Sequence, residues 1–265
     1  MGFLSDFVAR RRAELDARPL DHEALVERAA HAPDARNVAW VLRGYAEEDG
    51  VAVIAEVKRA SPSAGAIALE TDPVLQATTY DVEGAAVISV LTEARHFGGS
   101  LEDLVAVRAA VQHPVLRKDF LVHPDQVLEA RGAGADTVLL ITACLDDDEL
   151  RAMLATARDL GMEPVVESHS DDDLERALAT DAEVLGVNAR DLESLTLDVP
   201  AALRRLTRIP ADRVAVLESG IRTRDDVVEA VSAGASAILV GETLMRAGDP
   251  GATLRELIHG KEHHT

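Results

Sequence analysis

The chain has 265 residues, 47% of them hydrophobic, and its 47 acidic and 27 basic side chains give a formal net charge of -20. This length suits one large α/β domain or two small ones. The acidic balance argues against nonspecific binding to nucleic acid or to anionic membranes, because both attract basic surfaces. Cys144 is the single cysteine, which excludes an intrachain disulfide and fits a reducing compartment.

The amino terminus shows no targeting pattern. It lacks the basic and then apolar residues of a signal peptide, and Asp6 stands where N-myristoylation requires Ser or Thr. No uncharged apolar stretch approaches the ~20 residues that span a bilayer. We therefore expect a cytoplasmic protein that does not bind membranes.

Residues 1–48 show helical rather than strand periodicity. Phe3 and Phe7 fall on one helical face, and Asp21 can cap a second helix. We predict that this segment is a helical extension in front of the main fold, and that residues 1–265 form a single domain.

From Val51 onward, short β-branched apolar runs alternate with amphipathic stretches, which is the rhythm of βα units. The runs are almost continuously apolar, as expected for strands buried on both faces. Gly84, Gly134 and Gly234 stand where a left-handed glycine ends a helix before the next run. The predicted strands are residues 51–58, 86–91, 114–118, 136–141, 163–167, 184–188, 214–218 and 237–240.

Eight such units predict an α/β fold of the (β/α)8, or TIM barrel, type with the helical extension at its amino terminus. An open doubly wound sheet is the structural alternative. It is weakened because no G-x-G-x-x-G motif follows the first predicted strand. In a barrel, the carboxyl ends of all the strands surround one mouth, where barrel enzymes place their chemistry.

Polar side chains end five of the predicted strands. Any one of them alone is equally compatible with an exposed loop, but Lys and Glu are seldom buried unless they are paired or functional. Together they predict one site at the carboxyl face of the barrel. These strand-ending residues are Glu56, Lys58, Lys118, Glu167, Asn188 and Glu218.

The segments after the seventh and eighth strands predict a phosphate site. Ser219-Gly220 and Gly241-Glu242 place small residues where backbone N–H groups can approach an anion, and barrels commonly bind phosphate there. The alternative is that these glycines only turn the chain. The Ser- and Pro-rich loop after the first strand fits a shaped loop over the mouth, and its Ser61 is a candidate for substrate binding.

Two aromatic residues follow predicted strands. Phe97 and Phe120 stand where an aromatic ligand can be enclosed, although ordinary packing explains each one alone.

The nine histidines form no H-E-x-x-H or carboxylate-rich metal pattern, and His169 is the one that falls at a strand end. We expect neither a metal nor a cofactor.

The chain resembles the indole-3-glycerol phosphate synthase family over essentially its whole length. That family is a (β/α)8 barrel with an extra amino-terminal helical segment. It closes the pyrrole ring of 1-(2-carboxyphenylamino)-1-deoxyribulose 5-phosphate, with loss of carbon dioxide and water, in tryptophan biosynthesis. The resemblance implies a lyase acting on a small phosphorylated substrate. It rests on Ile54-Ala-Glu-Val-Lys-Arg-Ala-Ser-Pro-Ser63, Ser89-Val-Leu-Thr-Glu93, Phe97-Gly-Gly-Ser100, Leu116-Arg-Lys-Asp-Phe120, Gly186-Val-Asn-Ala-Arg-Asp-Leu192 and Glu218-Ser-Gly-Ile221.

The resemblance implies roles for the strand-ending residues. Lys118 matches the family's general acid for ring closure, and Glu167 matches the general base for dehydration. Lys58 matches a lysine that contacts substrate anions and is a second candidate proton donor, so the sequence leaves open which lysine acts at which step. A second cation facing Lys118 would lower its pKa, whereas nearby carboxylates would raise it. Glu56, Asn188 and Glu218 match supporting polar residues.

The same resemblance implies the substrate contacts. Arg190 matches a residue near the substrate carboxylate. Ser219, Gly220 and Gly241 match the phosphate cradle. The residues that match the apolar wall around the anthranilate ring are Phe97, Phe120, Leu139 and Leu192.

The chain departs from the family pattern at four positions. Ala64 replaces a loop lysine, His96 replaces an aromatic residue, and Ala189 and Asp191 each replace an asparagine. These changes concern loop contacts and rate.

Three other functions are alternatives to a synthase of this family. They are another phosphate-binding barrel enzyme such as phosphoribosylanthranilate isomerase, a Schiff-base aldolase with Lys118 as nucleophile, and a non-catalytic metabolite-binding barrel. We expect a monomer or weak oligomer that binds no nucleic acid.

Overall fold

The computed structural model describes residues 2–260 and shows eight parallel strands closed into a barrel, each paired with its neighbours in chain order. Every predicted strand is present, with its ends within two residues of the expected positions. The strands are β1 (Ala52–Val57), β2 (Val87–Leu91), β3 (Val115–Lys118), β4 (Thr137–Ile141), β5 (Val165–Ser168), β6 (Val184–Asn188), β7 (Val214–Glu218) and β8 (Ala237–Val240). The predicted TIM barrel is therefore confirmed, and the open doubly wound sheet is excluded.

Helices follow the strands and cover the outside of the barrel. Three more precede β1, as the periodicity of the amino-terminal segment predicts. The helices are α1 (Phe3–Ala17), α2 (His22–Ala30), α3 (Val38–Asp49), α4 (Pro73–Val82), α5 (Ala94–Phe97), α6 (Leu101–Ala110), α7 (Pro124–Gly132), α8 (Asp147–Asp159), α9 (Asp171–Leu178), α10 (Val199–Leu206), α11 (Arg224–Ser232), α12 (Glu242–Met245) and α13 (Pro250–His259).

Local sequence signals account for several element ends. Asp21 caps α2 by accepting from the N–H of Ala24 at 3.1 Å, as predicted. Gly84, Gly134 and Gly234 all have positive φ, between 93° and 102°, where a Cβ would be strained. The three similar helix-to-strand joints are therefore the left-handed turns that the sequence predicts.

The strand register places alternate residues inside the barrel. Glu56 is paired in register with Ser89, and Leu91 with Lys118. The strands are buried along their lengths because helices cover the outside and apolar side chains fill the inside. Polar side chains at the last inward positions are therefore forced toward the mouth.

The three helices before β1 occupy different positions. Helix α2 packs on α7 through Leu25 and Leu128, and α3 contacts β1, β2 and β7. Helix α1 extends over the mouth and contacts the loops there. None of the helices at residues 2–260 combines the length and apolarity that crossing a membrane demands.

Candidate active site

A cavity of about 380 Å³ opens at the carboxyl ends of the strands. It is lined by polar groups at its floor and by apolar side chains along one wall. Every predicted site residue lines it: Glu56, Lys58, Ser61, Phe97, Lys118, Phe120, Leu139, Glu167, Asn188, Arg190, Leu192, Glu218, Ser219, Gly220, Gly241 and Glu242. The placement follows from strand parity and barrel closure; the individual roles stay predictions.

Lys118, at the end of β3, lies between the carboxylates that end β5 and β7. Its Nζ donates to Glu167 Oε2 at 2.9 Å and to Glu218 Oε2. Asn188 Nδ2 donates to the other oxygen of Glu167 at 3.1 Å, and Ser219 Oγ donates to Asn188 Oδ1 at 2.9 Å. This series of hydrogen bonds fixes the orientation of the Glu167 carboxylate and of the Lys118 ammonium group.

Burial and charge act in opposite directions on Lys118. Burial alone would lower its pKa, but the charges of Glu167, Glu218 and Glu56 outweigh burial and raise the pKa above its ordinary value. Carboxylates, and not a second cation, therefore set the direction of the Lys118 pKa. In the absence of substrate, Lys118 is a protonated amine, which is the form that a general acid must have.

Glu218 holds a proton more tightly than an ordinary glutamate. Burial and the neighbouring Glu167 raise its pKa to about 8, against the opposing effect of Lys118. Its Oε1 is buried without a hydrogen-bond partner among residues 2–260 and lies against Gly186, where a Cβ would collide with it. One ammonium thus serves two buried carboxyl groups, so a proton on Glu218 relieves the excess negative charge near neutral pH.

Lys58 forms a second ion pair on the opposite side of the floor. Its Nζ lies 2.5 Å from Glu56 Oε1, two residues earlier on the same face of the strand. Gly241 adjoins this pair, and a Cβ there would collide with Glu56 and lie 3.1 Å from Lys58 Nζ. The glycine after β8 is therefore required for the Glu56–Lys58 pair, in addition to its predicted place in the phosphate cradle.

The apolar wall is built by short helical and loop segments. At the end of β2, Glu93 caps α5 by accepting from the N–H groups of His96 and Phe97 at 2.6 and 3.2 Å. This cap presents the Phe97 ring to the cavity, 6.1 Å from the Phe120 ring. Leu139 and Leu192 complete the predicted wall from β4 and the loop after β6.

Phe3 is a cavity residue that the sequence analysis missed. It comes from α1, and its ring lies 6.3 Å from that of Phe120. The helical spacing of Phe3 and Phe7 predicted an apolar face but not what the face contacts. Leu91 and Leu195 also line the cavity.

Arg190 is held in place by its own loop. Its backbone N–H donates to Asn188 Oδ1 at 2.9 Å, and its guanidinium donates to the carbonyl of Leu195 at 3.0 Å. Leu195 has a φ of 61°, a conformation rare for leucine. The loop thus directs a cation into the cavity beside the apolar wall.

The segments after β7 and β8 form the remaining side of the mouth. Ser219 and Gly220 have φ values of 67° and 88°, and a Cβ on Gly220 would lie 2.6 Å from a Val199 methyl group. The Glu242 carboxylate pairs with Arg246 at 3.0 Å. These turns expose backbone N–H groups suited to an anion.

Arg222, Thr243 and Arg246 also line this side and were missed. The sequence signal for Arg222 was its position directly after the Ser219-Gly220-Ile221 turn. Its side chain is exposed, and its guanidinium has no acceptor at residues 2–260. It is therefore free to contact an anion at the turn.

The loop after β1 is anchored by Arg59 at its beginning and braced by a short hairpin. Arg59 donates to Asp103 at 2.6 and 3.2 Å and to the carbonyl of Gly98 at 2.9 Å. A short hairpin pairs Ala60–Ser61 with Gly65–Ala66, and Ser61 Oγ accepts from the N–H of Ala64 at 3.2 Å. Ser61 is thus placed by its loop at the edge of the cavity.

Residues 2–260 contain no group of three or more His, Cys, Asp or Glu side chains positioned to hold a metal ion. His169 directly follows β5, and its Nδ1 is hydrogen-bonded to the carbonyl oxygen of Asn188 at 2.9 Å. Cys144 is buried, and burial raises the pKa of its thiol, so its thiolate is disfavoured.

Comparison with known proteins identifies the family. A family model described as indole-3-glycerol phosphate synthase matches residues 4–257. Curated relatives bear that name. The relative from Streptomyces griseus subsp. griseus is 45% identical, and the match covers 99% of this chain and 97% of the relative. The relative from Mycolicibacterium smegmatis is 47% identical, with 98% of this chain and 95% of the relative covered. The relative from a Nocardioides species is 54% identical, with 78% of this chain and 80% of the relative covered.

Solved structures that resemble the chain show the fold alone. A 3-hexulose-6-phosphate synthase superposes with a TM-score of 0.63 at 19% identity, covering 78% of this chain and 98% of its own. A phosphoribosylanthranilate isomerase from Thermotoga maritima gives a TM-score of 0.56 at 14% identity, covering 78% and 96%. Both similarities agree with a (β/α)8 barrel.

Proposed function

The chain belongs to the indole-3-glycerol phosphate synthase family, and we propose which of its side chains carry out each part of the family's reaction. It is a carboxy-lyase enzyme of tryptophan biosynthesis. The reaction joins the aromatic carbon that bears the carboxylate to the ketone carbon of the deoxyribulose chain, and then releases carbon dioxide and water. One observation supports the assignment of roles: Lys118 Nζ lies between the carboxyl groups of Glu167 and Glu218 in a cavity with one apolar wall.

Lys118 acts as the acid in ring closure. As the new carbon–carbon bond forms, the ketone oxygen gains negative charge and takes a proton from Nζ, becoming a hydroxyl group. Neutralisation of one carboxyl by a proton on Glu218 weakens the hold on the Lys118 proton, because fewer negative charges then face it. Loss of carbon dioxide then returns the electron pair of the broken bond to the aromatic ring system.

Glu167 acts as the base in dehydration. The hydroxyl formed in the first step departs as water with a second proton, supplied by Lys58 as the other candidate donor, and Glu167 removes a proton from the new five-membered ring to form the indole. Asn188 and Lys118 hold opposite oxygens of Glu167, so its carboxylate direction is set before substrate binds. Pre-set direction matters because misplacement of a base slows proton transfer.

The ends of the substrate are bound by different sides of the mouth. We assign the anthranilate ring to the apolar wall of Phe97, Phe120, Leu139 and Leu192, and its carboxylate to Arg190. Lys58, held by Glu56, contacts substrate anions from the floor. The phosphate is assigned to the turns at Ser219, Gly220, Gly241 and Glu242, with Ser61 closing over it from the loop after β1.

A Schiff-base aldolase is disfavoured by the state of Lys118. A nucleophilic lysine must be neutral, whereas the carboxylates around Lys118 raise its pKa. Borohydride treatment in the presence of substrate should therefore leave no adduct on this lysine. The formal net charge of -20 supports the further proposal that the protein binds no nucleic acid. We also propose a cytoplasmic location and a monomer or weak oligomer.

Purified protein should convert 1-(2-carboxyphenylamino)-1-deoxyribulose 5-phosphate to indole-3-glycerol phosphate. Indole fluorescence should rise as carbon dioxide is released in equal molar amount. Excess chelator should leave the rate unchanged, because the proposed acid and base are side chains. The assignment fails if authentic substrate gives no product, or if chelator abolishes turnover and added metal restores it.

Arg222 offers a test of the phosphate assignment. Arg222→Ala should weaken competitive inhibition by inorganic phosphate roughly threefold to tenfold, because it removes a charge-assisted contact at a partly exposed site. Gly241 is a poorer probe, because a side chain there would also displace Glu56 and Lys58.

The matched control is Arg224→Ala. Arg224 lies two residues further on, and its guanidinium donates to the carbonyl of Leu257 at 2.8 Å, outside the cavity. This control should leave the inhibition constant for phosphate unchanged. Equal inhibition constants for the wild type and Arg222→Ala would move the phosphate away from the turn after β7.

A further inference from the structure

Helix α1 receives its amino-terminal cap from a distant loop. Gly2 at its N-cap position has no side chain to accept from the first turn, where the N–H groups of a helix lack partners. Glu193 takes this place. Its carboxylate accepts from the N–H of Ser5 at 3.1 Å and from the Ser5 hydroxyl, and its carbonyl accepts from the N–H of Phe3 at 3.2 Å.

The absence of a side chain at Gly2 permits this contact. A Cβ on Gly2 would collide with the carboxyl group of Glu193. A negative charge at this end of a helix is also favoured by the helix dipole. Glu193 therefore replaces the usual N-cap side chain, with geometry that depends on Gly2.

Glu193 belongs to the loop after β6 that carries two substrate-binding candidates. Arg190 and Leu192 precede it and line the cavity. The loop is internally braced, because Asp191 Oδ1 accepts from the N–H of Glu193 at 2.8 Å and the N–H of Asp191 donates to Thr196 at 2.9 Å. Glu193 is thus held in a defined position by the loop that forms one side of the site.

The residue brought to the cavity by this cap is Phe3. Its ring packs edge-on against His96 at 5.2 Å and against Phe120 at 6.3 Å. It also lines the cavity itself. The position of Phe3 beside the apolar wall is therefore set from one side by aromatic contacts and from the other by Glu193.

The rest of α1 is fastened independently. Arg11 pairs with Asp119 at 3.3 Å, and Arg12 pairs with Glu149 at 2.6 Å. Within residues 2–260, the polar contacts of the first turn with other elements all go to Glu193. Loss of the Glu193 carboxylate therefore removes both contacts to Ser5 and loosens the first turn that carries Phe3, while the backbone contact to Phe3 and the second half of the helix stay attached.

We propose that Glu193 is a positioning residue for the aromatic end of the substrate. It caps α1 from the loop after β6 and so holds Phe3 against the wall formed by Phe97 and Phe120. The inference rests on the assignment of this wall to the anthranilate ring under the proposed function. It adds a residue whose own side chain lies outside the cavity and whose effect passes through Phe3.

Glu193→Ala should raise KM about threefold to tenfold while kcat changes less than twofold. This range corresponds to loss of one aromatic packing contact. Glu193→Gln keeps an oxygen that accepts from Ser5, so its KM should stay near the wild-type value. A merely structural role would lower Tm without this rise in KM.

A double-mutant cycle with Phe3→Ala tests whether Glu193 acts through Phe3. Phe3→Ala should raise KM to a similar extent, and the double variant should match either single variant rather than multiply their effects. Arg12→Met is the control, because it loosens the other end of the same helix. It should lower Tm and leave KM unchanged.

The proposal is overturned if Glu193→Ala leaves KM unchanged, or if the effects of Glu193→Ala and Phe3→Ala multiply. It is also overturned if Arg12→Met raises KM as much as Glu193→Ala, since any loosening of α1 would then suffice. Wild-type turnover in the same assay separates these outcomes from failure of the proposed function, which would leave no product in any sample.

Discussion

Replacing Lys118 with alanine should reduce kcat by at least a factor of ~10²–10⁴, the usual contribution of a general acid. The lost proton donor acts as the ring closes, so the effect belongs to the transition state. Substrate affinity should fall much less, because the turns after β7 and β8 and the apolar wall are untouched. Single-turnover kinetics and substrate binding, measured together, separate the two effects.

Lys118→Arg should rescue activity poorly. Arginine keeps a positive charge between Glu167 and Glu218, but a guanidinium does not release its proton at neutral pH. The two variants therefore separate charge from proton donation. A folded Lys118→Ala protein that retains more than about a tenth of wild-type turnover would assign the acid to Lys58 or another group.

Folding of the alanine variant must be checked at more than one pH. Without Lys118, the buried carboxyl groups of Glu167 and Glu218 face each other with no ammonium between them. Like charges disfavour joint ionisation, so this variant should lose thermal stability as pH rises above neutrality. Kinetic comparison is therefore best made near pH 6, with Tm measured in parallel.

Replacing Glu167 with glutamine should also reduce overall turnover by a factor of ~10²–10⁴, because an amide cannot remove a proton. The side-chain shape is kept, and the amide oxygen can still accept from Asn188. Decarboxylation precedes dehydration in the proposed sequence. In a single turnover, carbon dioxide release should therefore run ahead of indole fluorescence.

Glu163→Gln is the matched control for this variant. Glu163 lies just before β5, at the opposite end of the strand from Glu167, and pairs with Arg158 at 3.3 Å. Its replacement should leave turnover unchanged. If Glu167→Gln slows carbon dioxide release and indole formation equally, Glu167 acts at or before decarboxylation, and the assignment to dehydration is wrong.

The strands and their polar ends could be predicted because both signals are local. A strand buried on both faces must be apolar along its length, so each run from Val51 to Val240 stands out from the amphipathic stretches between them. Lys118 and Glu167 could be predicted as inward-facing because side chains alternate along a strand. Barrel closure then required that their ends meet.

The departures from the family pattern also became interpretable in the structure. Ala64 lies at the hairpin after β1, where its backbone N–H donates to Ser61. His96 packs against Phe3 and Phe7, at 5.2 and 5.8 Å, and so keeps a ring at an aromatic position. Ala189 is fully buried. Each change is thus accommodated by its surroundings at the edge of the site.

By itself, the sequence determined the barrel, the helical extension and the polar residues that end the strands at the mouth, because periodicity and strand ends are local properties of short stretches of chain. Only the tertiary structure decided which of those residues touch. It paired Lys118 with Glu218, 100 positions later, and Ser5 with Glu193, 188 positions later. It also decided that carboxylates, rather than burial, set the direction of the Lys118 pKa, since that balance depends on distances across the closed barrel.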